Sequence, residues 1–155
     1  TGQRRSNVLS MRWSDIDMTN RLWHIPETKN GASLNVPLIP QAVDVLRELK
    51  KEANSEWVFP SSGKTGHFVE PKKGWKSLLH KAQIKDLRLH DLRRTLGSYE
   101  AMAGVNLPTI SRTLGHASYQ ATQVYARLNV ETVRDAMSSA VNLMKERAKE
   151  AKAQN

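Results

Sequence analysis

Hydrophobic residues recur along this chain with two different periods, and the change of period separates its parts. Residues 15 to 38, DIDMTNRLWHIPETKNGASLNVPL, carry Ile16, Leu22, Trp23, Ile25, Leu34, Val36 and Leu38 in short runs broken by Thr19-Asn20 and Asn30-Gly31. Short apolar runs between turn signals predict a three-stranded antiparallel meander, with Asn-Gly as the stronger hairpin signal. Elsewhere the spacing is helical. Val8, Leu9 and Trp13 can share one helix face near the start. Val43, Val45, Leu46 and Leu49 predict a helix over about 40–53, opened by Pro40 and ending in Lys50 and Lys51, where the helix dipole favours cations. Trp57-Val58-Phe59 reads as a short buried segment, and Trp75, Leu78 and Leu79 as the inner face of a helix over about 71–83. A further helix is predicted from about His90 to Ala103, ended by Gly104. A long last helix over 129–150 bears Val133, Met137, Ala140, Val141 and Met144 along one side. The expected class is α+β, mainly α: a helical core with a small three-stranded antiparallel sheet.

Composition narrows the partner. The 155 residues, 39% of them hydrophobic, suffice for one domain with a core and are too few for two comfortable ones. Lysine and arginine number 24 against 15 acidic residues, a formal charge of +9, which points to a polyanion, nucleic acid first. The competing reading is a basic surface that is merely solvated. The absence of cysteine excludes disulfides and thiolate metal sites. No apolar run approaches the roughly 20 residues of a membrane span, and no signal-peptide pattern appears. The expected location is cytoplasmic.

Candidate chemistry concentrates in a few stretches. In LGHASYQATQVYARL, 114 to 128, a helix stop at Gly115 and a restart near Ser118 place His116 on a connector and Tyr125 on the next helix. Ionising a phenol at pH 7 costs about 4 kcal/mol, so a reactive Tyr125 needs cations or a base beside it. The alternative is a core tyrosine with a bonded hydroxyl. In LRLHDLRRTLGSYEAMAGV, 87 to 105, His90 and Arg93 are one helical turn apart near a helix N-terminus, an arrangement suited to phosphate. A His90-Asp91 metal pair would need further ligands at ligand spacing, and the sequence offers none. Gly63-Lys64-Thr65 lacks the earlier glycine and preceding strand of a P-loop. Arg4 lies in the opening TGQR, and Lys29 sits beside the Asn30-Gly31 turn, where its side chain could swing over a groove. A solvated charge is the simpler account of each.

Taken in order, TGQR at 1–4, Lys29 after the second strand, HDLR at 90–93, LGH at 114–116 and Tyr125 resemble the catalytic domain of the tyrosine recombinases, the phage-integrase family. The resemblance covers nearly the whole chain. It implies that Arg4 and Arg93 clamp a scissile phosphate, that Lys29 is the general acid for the leaving 5′ oxygen, that His90 is an acid/base partner, and that His116 hydrogen-bonds the phosphate. Tyr125 would become joined to the DNA 3′ end. It further implies double-stranded DNA as substrate, no metal or other cofactor, and a homo-oligomer, a tetramer on DNA, formed through the C-terminal helix. Asn7 stands where the family pattern has an acidic residue three positions after the first arginine. The family's N-terminal DNA-binding domain has no counterpart, so residues 1–155 are read as a catalytic-domain fragment with 129–155 as C-terminal helix and tail. Two rivals stay open at this point: a type IB topoisomerase-like enzyme, and a basic module that binds DNA without cutting it.

Overall fold

The structure, a computed structural model, describes residues 1–28, 31–116, 118–128 and 130–153. The chain forms a short helix α1 (Arg5–Leu9), a 3₁₀ turn at Trp13–Asp15, strands β1 (Ile16–Asp17), β2 (Leu22–Ile25) and β3 (Leu34–Pro37), and helices α2 (Pro40–Lys51), α3 (Lys72–Lys81), α4 (Leu89–Met102) and α5 (Leu107–Leu114). A 3₁₀ run over Tyr119–Leu128 and the long helix α6 (Val130–Ala153) follow. The mainly helical class with a small antiparallel sheet is what the sequence pattern predicts.

The meander is built in the order β1-β2-β3, with Trp23 opposite both Ile16 and Val36. Its first turn is closed by Asp17, whose Oδ1 accepts from the backbone N–H groups of Thr19 (2.9 Å) and Asn20 (2.8 Å). The second connection is longer than a two-residue hairpin. Ile25 pairs with Leu34, and within the intervening loop Thr28 N–H donates to Ala32 O at 2.9 Å. Strand alternation places Trp23, Ile25 and Val36 inside and His24 and Asn35 outside, where the two side chains hydrogen-bond at 2.7 Å.

The inner face of the sheet packs on α2 through Val43 and Leu46, with Met11, Leu38 and Val58 completing a first core. Each such side chain contributes about 1.5–3 kcal/mol on burial. Val45 is 60% exposed and Leu49 lies at the margin, because α2 meets this core through Val43 and Leu46 with Ala42 beside them. Val58 is buried as expected, held by its N–H donating to Met11 O at 2.9 Å. In α3 the expected inner face is narrower than its sequence suggests, since Leu78 is exposed. Trp75 fixes that helix by donating its indole N–H to Leu87 O at 3.0 Å. The opening helix is also shorter than expected; Trp13 belongs to the 3₁₀ turn instead.

A second core joins α4, α5 and the 3₁₀ run through Ala101, Ile110, Leu114 and Tyr125. Helix α5 starts at Asn106, whose side chain accepts from Thr109 N–H at 2.9 Å, and ends as predicted at Gly115, with φ of 57°. There Gly115 N–H donates to Arg112 O and His116 N–H to Ser111 O, both at 3.0 Å, the paired bonds of a Schellman stop. A side chain at Gly115 would also strike Leu34 Cδ2, at 2.7 Å from an ideal Cβ. The helix stop thereby seats the following loop against the sheet. Helix α6 leaves the body with its apolar stripe in solvent: Val133, Met137, Val141 and Met144 are all exposed, whereas a packing face would have been covered.

Candidate active site

Five of the side chains expected to act together lie close enough to influence one another's charge, and they come from several stretches of the chain. Arg4 immediately precedes α1. His90 and Arg93 project from the first turns of α4, whose start is closed by Asp91 Oδ2 accepting from Arg88 N–H at 2.9 Å. That bond holds the Asp91 carboxyl below its ordinary value and makes it a helix cap. His116 follows the Schellman stop. Tyr125 lies on the 3₁₀ run, where α-helix was expected.

Arg93 is buried, 6% exposed, and donates through Nη1 to Gly2 O at 2.6 Å. Gly2 has φ of 64°, and an ideal Cβ there would lie 2.5 Å from Leu96 Cδ2, so glycine is what lets the opening strand of chain press its carbonyl onto the guanidinium. Burial first and Arg4 second hold Arg93 below its usual value, while Tyr125 pulls the other way. His116 is lowered by burial, then Arg93, then Arg4. For His90 burial comes first, followed by Arg93 and Arg94, with Asp91 opposing and Arg4 adding a smaller push. Arg4 and Arg93 thus act on both imidazoles, and Arg93 faces the tyrosine.

Such a gathering of cations is repulsive by itself and is relieved by an anion between them. Both imidazoles, held low, are neutral at neutral pH and offer a donor or an acceptor there. Beside this point runs a groove of about 640 Å³ whose lining includes Arg4, Arg5, Lys72, Arg88 and His90. Its carboxylate, Glu70, is bridged by Arg5 (3.3 Å) and Lys72 (3.1 Å). The groove therefore presents positive charge to a ligand.

The tyrosine ring is packed as a core residue, 6% exposed, yet among the described residues its hydroxyl makes no hydrogen bond. The ring rests on Gly97 of α4, where an added Cβ would stand 2.7 Å from Tyr125 Cζ. Lys29 lies outside the described residues. Asn7 is buried, and its Nδ2 has no hydrogen-bond partner among the described residues.

Three contributors escaped the sequence reading: Gly2, Gly97 and Thr122. A glycine inside a helical pattern is a legible sign of close approach, so Gly97 carried a signal. Gly2 acquires its meaning from Arg93, 91 positions away. Thr122 is completely buried, with Oγ1 2.8 Å from His116 Nδ1, and nothing in its neighbours along the chain marks it.

The fold and its basic junction define a helical domain able to grip a phosphodiester beside a phenol. The chain belongs to the phage integrase family, whose model matches residues 1–132. The prophage integrase IntF of Escherichia coli (strain K12) is 31% identical, over 86% of this chain and 30% of its own length. The tyrosine recombinase XerD of Rhizobium meliloti (strain 1021) is 30% identical over 97% of this chain and 51% of its own. The chain therefore spans about a third to a half of these curated relatives. Among solved structures, the Tn1549 transposon integrase in complex with a circular-intermediate DNA shares the fold with a TM-score of 0.70 at 18% identity, over 86% of this chain and 55% of that one.

Proposed function

We propose that residues 1–155 are the catalytic portion of a tyrosine-type site-specific recombinase that cuts and rejoins double-stranded DNA without a metal or nucleotide cofactor. The observation that carries this reading is the meeting of Arg4, His90, Arg93 and His116, drawn from three separate stretches, with Tyr125 facing Arg93. A DNA phosphate in that position would meet two guanidinium groups, which hold phosphate oxygens in a fork and stabilise charge as it develops.

In the proposed reaction Tyr125 Oη attacks the scissile phosphorus, forming a phosphotyrosyl bond to the 3′ end as the bond to the 5′ oxygen breaks. Lys29 gives a proton to that leaving oxygen and His90 accepts the phenolic one. His116 donates a hydrogen bond to a non-bridging oxygen. Because one phosphoester replaces another, a 5′ hydroxyl can reverse the step and rejoin the strand. The complex of the Tn1549 integrase with a circular-intermediate DNA supports DNA as partner. The basic groove supports it independently.

The exposed stripe of α6 supports assembly through that helix, 129–155 serving as a docking arm for another copy on DNA, up to a tetramer. Sizing on DNA tests this: loss of higher assemblies on removing 130–155 is expected, and unchanged size contradicts it. The catalytic reading is tested by incubation with nicked duplexes of randomised sequence. A denaturation-resistant protein-DNA adduct is expected from the native chain and none from Tyr125→Phe. DNA binding without any adduct would favour a non-cutting module, and relaxation of supercoils without strand exchange a topoisomerase.

A further inference from the structure

Among the described residues Thr122 is the one fully buried polar side chain in contact with the proposed machinery, and no step above uses it. It is 0% exposed, and its Oγ1 lies 2.8 Å from His116 Nδ1. Among the described residues this is its sole hydrogen-bond contact. Residues three apart eclipse one another on a 3₁₀ helix, so Thr122 and Tyr125 share the face turned into the core, as their burial confirms.

The bond can be made in two senses. If His116 donated Nδ1–H to Oγ1, the threonine hydroxyl hydrogen would be left in the interior without an acceptor, a penalised arrangement. If instead the hydroxyl donates to Nδ1, both groups of this bond are satisfied. The imidazole then carries its proton on Nε2, free to point at a ligand. Burial and the charges of Arg93 and Arg4 keep His116 neutral at neutral pH, so it has a single N–H to place, and its partner decides where.

We infer that Thr122 is a positioning residue: its hydroxyl donates to His116 Nδ1, fixes the Nε2–H tautomer, and does so only while the tyrosine-bearing segment is docked. The donor for the phosphate and the nucleophile are thereby assembled together. Thr122 and Tyr125 sit on one segment, so the orientation of the donor and the placement of the phenol depend on the same packing. The inference rests on the phosphate-contacting role proposed for His116, but its structural half does not need DNA.

The test has two arms. In protein labelled with ¹⁵N-histidine, long-range proton–nitrogen correlations identify the protonated ring nitrogen, with His116 assigned by its loss in His116→Gln. The expected result is an unprotonated Nδ1 and protonated Nε2 in the native chain and in Thr122→Ser, and a mixed tautomer population in the near-isosteric Thr122→Val. In the second arm, adduct formation on nicked duplexes should fall about 10- to 100-fold in Thr122→Val and recover in Thr122→Ser. A protonated Nδ1 in the native chain, or a tautomer unchanged in Thr122→Val, overturns the inference, as does native cleavage by that variant. If the native chain forms no adduct at all, the recombinase reading fails, while the nitrogen shifts still decide the role of Thr122.

Discussion

Replacing Gly97 by alanine separates the stability of this domain from its proposed chemistry. An ideal Cβ at Gly97 lies 2.7 Å from Tyr125 Cζ, 3.0 Å from Tyr125 Cε1 and 2.9 Å from Leu114 Cδ1. Carbon atoms are at ease at about 3.5–4.0 Å, so the ring must retreat by roughly 1 Å. Overpacking of this kind costs about 1–3 kcal/mol. Against it, alanine gains about 1 kcal/mol over glycine within a helix such as α4. The net loss is then about 0–2 kcal/mol, and at roughly 2–4 °C per kcal/mol for a chain of this size the melting temperature falls by no more than roughly 8 °C. Displacing a nucleophile by about 1 Å can cost about 10²-fold in rate. Gly97→Ala should therefore remain folded at 25 °C, as judged by circular dichroism and thermal melting, while single-turnover adduct formation on nicked DNA drops by about two orders of magnitude. Adduct formation at the native rate would refute the reasoning, because it would mean that the reacting ring does not rest on Gly97.

Other perturbations follow from the same geometry. Arg93→Ala removes one proposed phosphate donor and should lower single-turnover cleavage by about 10²–10³-fold; a near-native rate contradicts the clamp. It also leaves Gly2 O without its 2.6 Å donor, so urea unfolding should show a loss of about 1–3 kcal/mol. His90 and His116 lie below the ordinary value of 6.5, so the unfolded chain binds more protons just under that pH. Their contribution to stability is complete above about pH 6.5 and is lost on acidification through the lowered folded values, a decline that His90→Gln with His116→Gln should flatten in thermal melts. A slope unchanged in the double variant would exclude these imidazoles as its source. Met137 is 66% exposed on α6, so Met137→Asp should shift the free chain's stability by less than about 0.5 kcal/mol yet weaken assembly on DNA, measured by sedimentation; equal assembly would contradict docking through that stripe.

The sequence exposed those parts of the molecule whose causes are local. Gly115 announces its helix stop because a left-handed residue is cheapest as glycine, and the meander follows from alternation around Trp23 and Val36. Histidine and arginine at 90 and 93 share a face by helical period alone. What was hidden depends on contacts distant in sequence. Val45 and Leu78 turn outward because no neighbouring element covers them, which no helical wheel contains. Tyr119–Leu128 winds as a 3₁₀ run packed on α4 and α5, contacts that its own residues do not announce. Gly2 and Thr122 matter only because the fold brings Arg93 and His116 to them.

The central claim is that one particular phenol becomes bonded to DNA, and peptide mapping tests it most directly. Trypsin cleavage after Arg112 and Arg127 leaves a peptide holding two tyrosines, Tyr119 and Tyr125, so fragmentation of the nuclease-trimmed adduct can assign the nucleotide mass. The account predicts a single modified residue, Tyr125, carrying a nucleotide through its 3′ phosphate. Attachment at Tyr119, or a 5′ linkage, would contradict it.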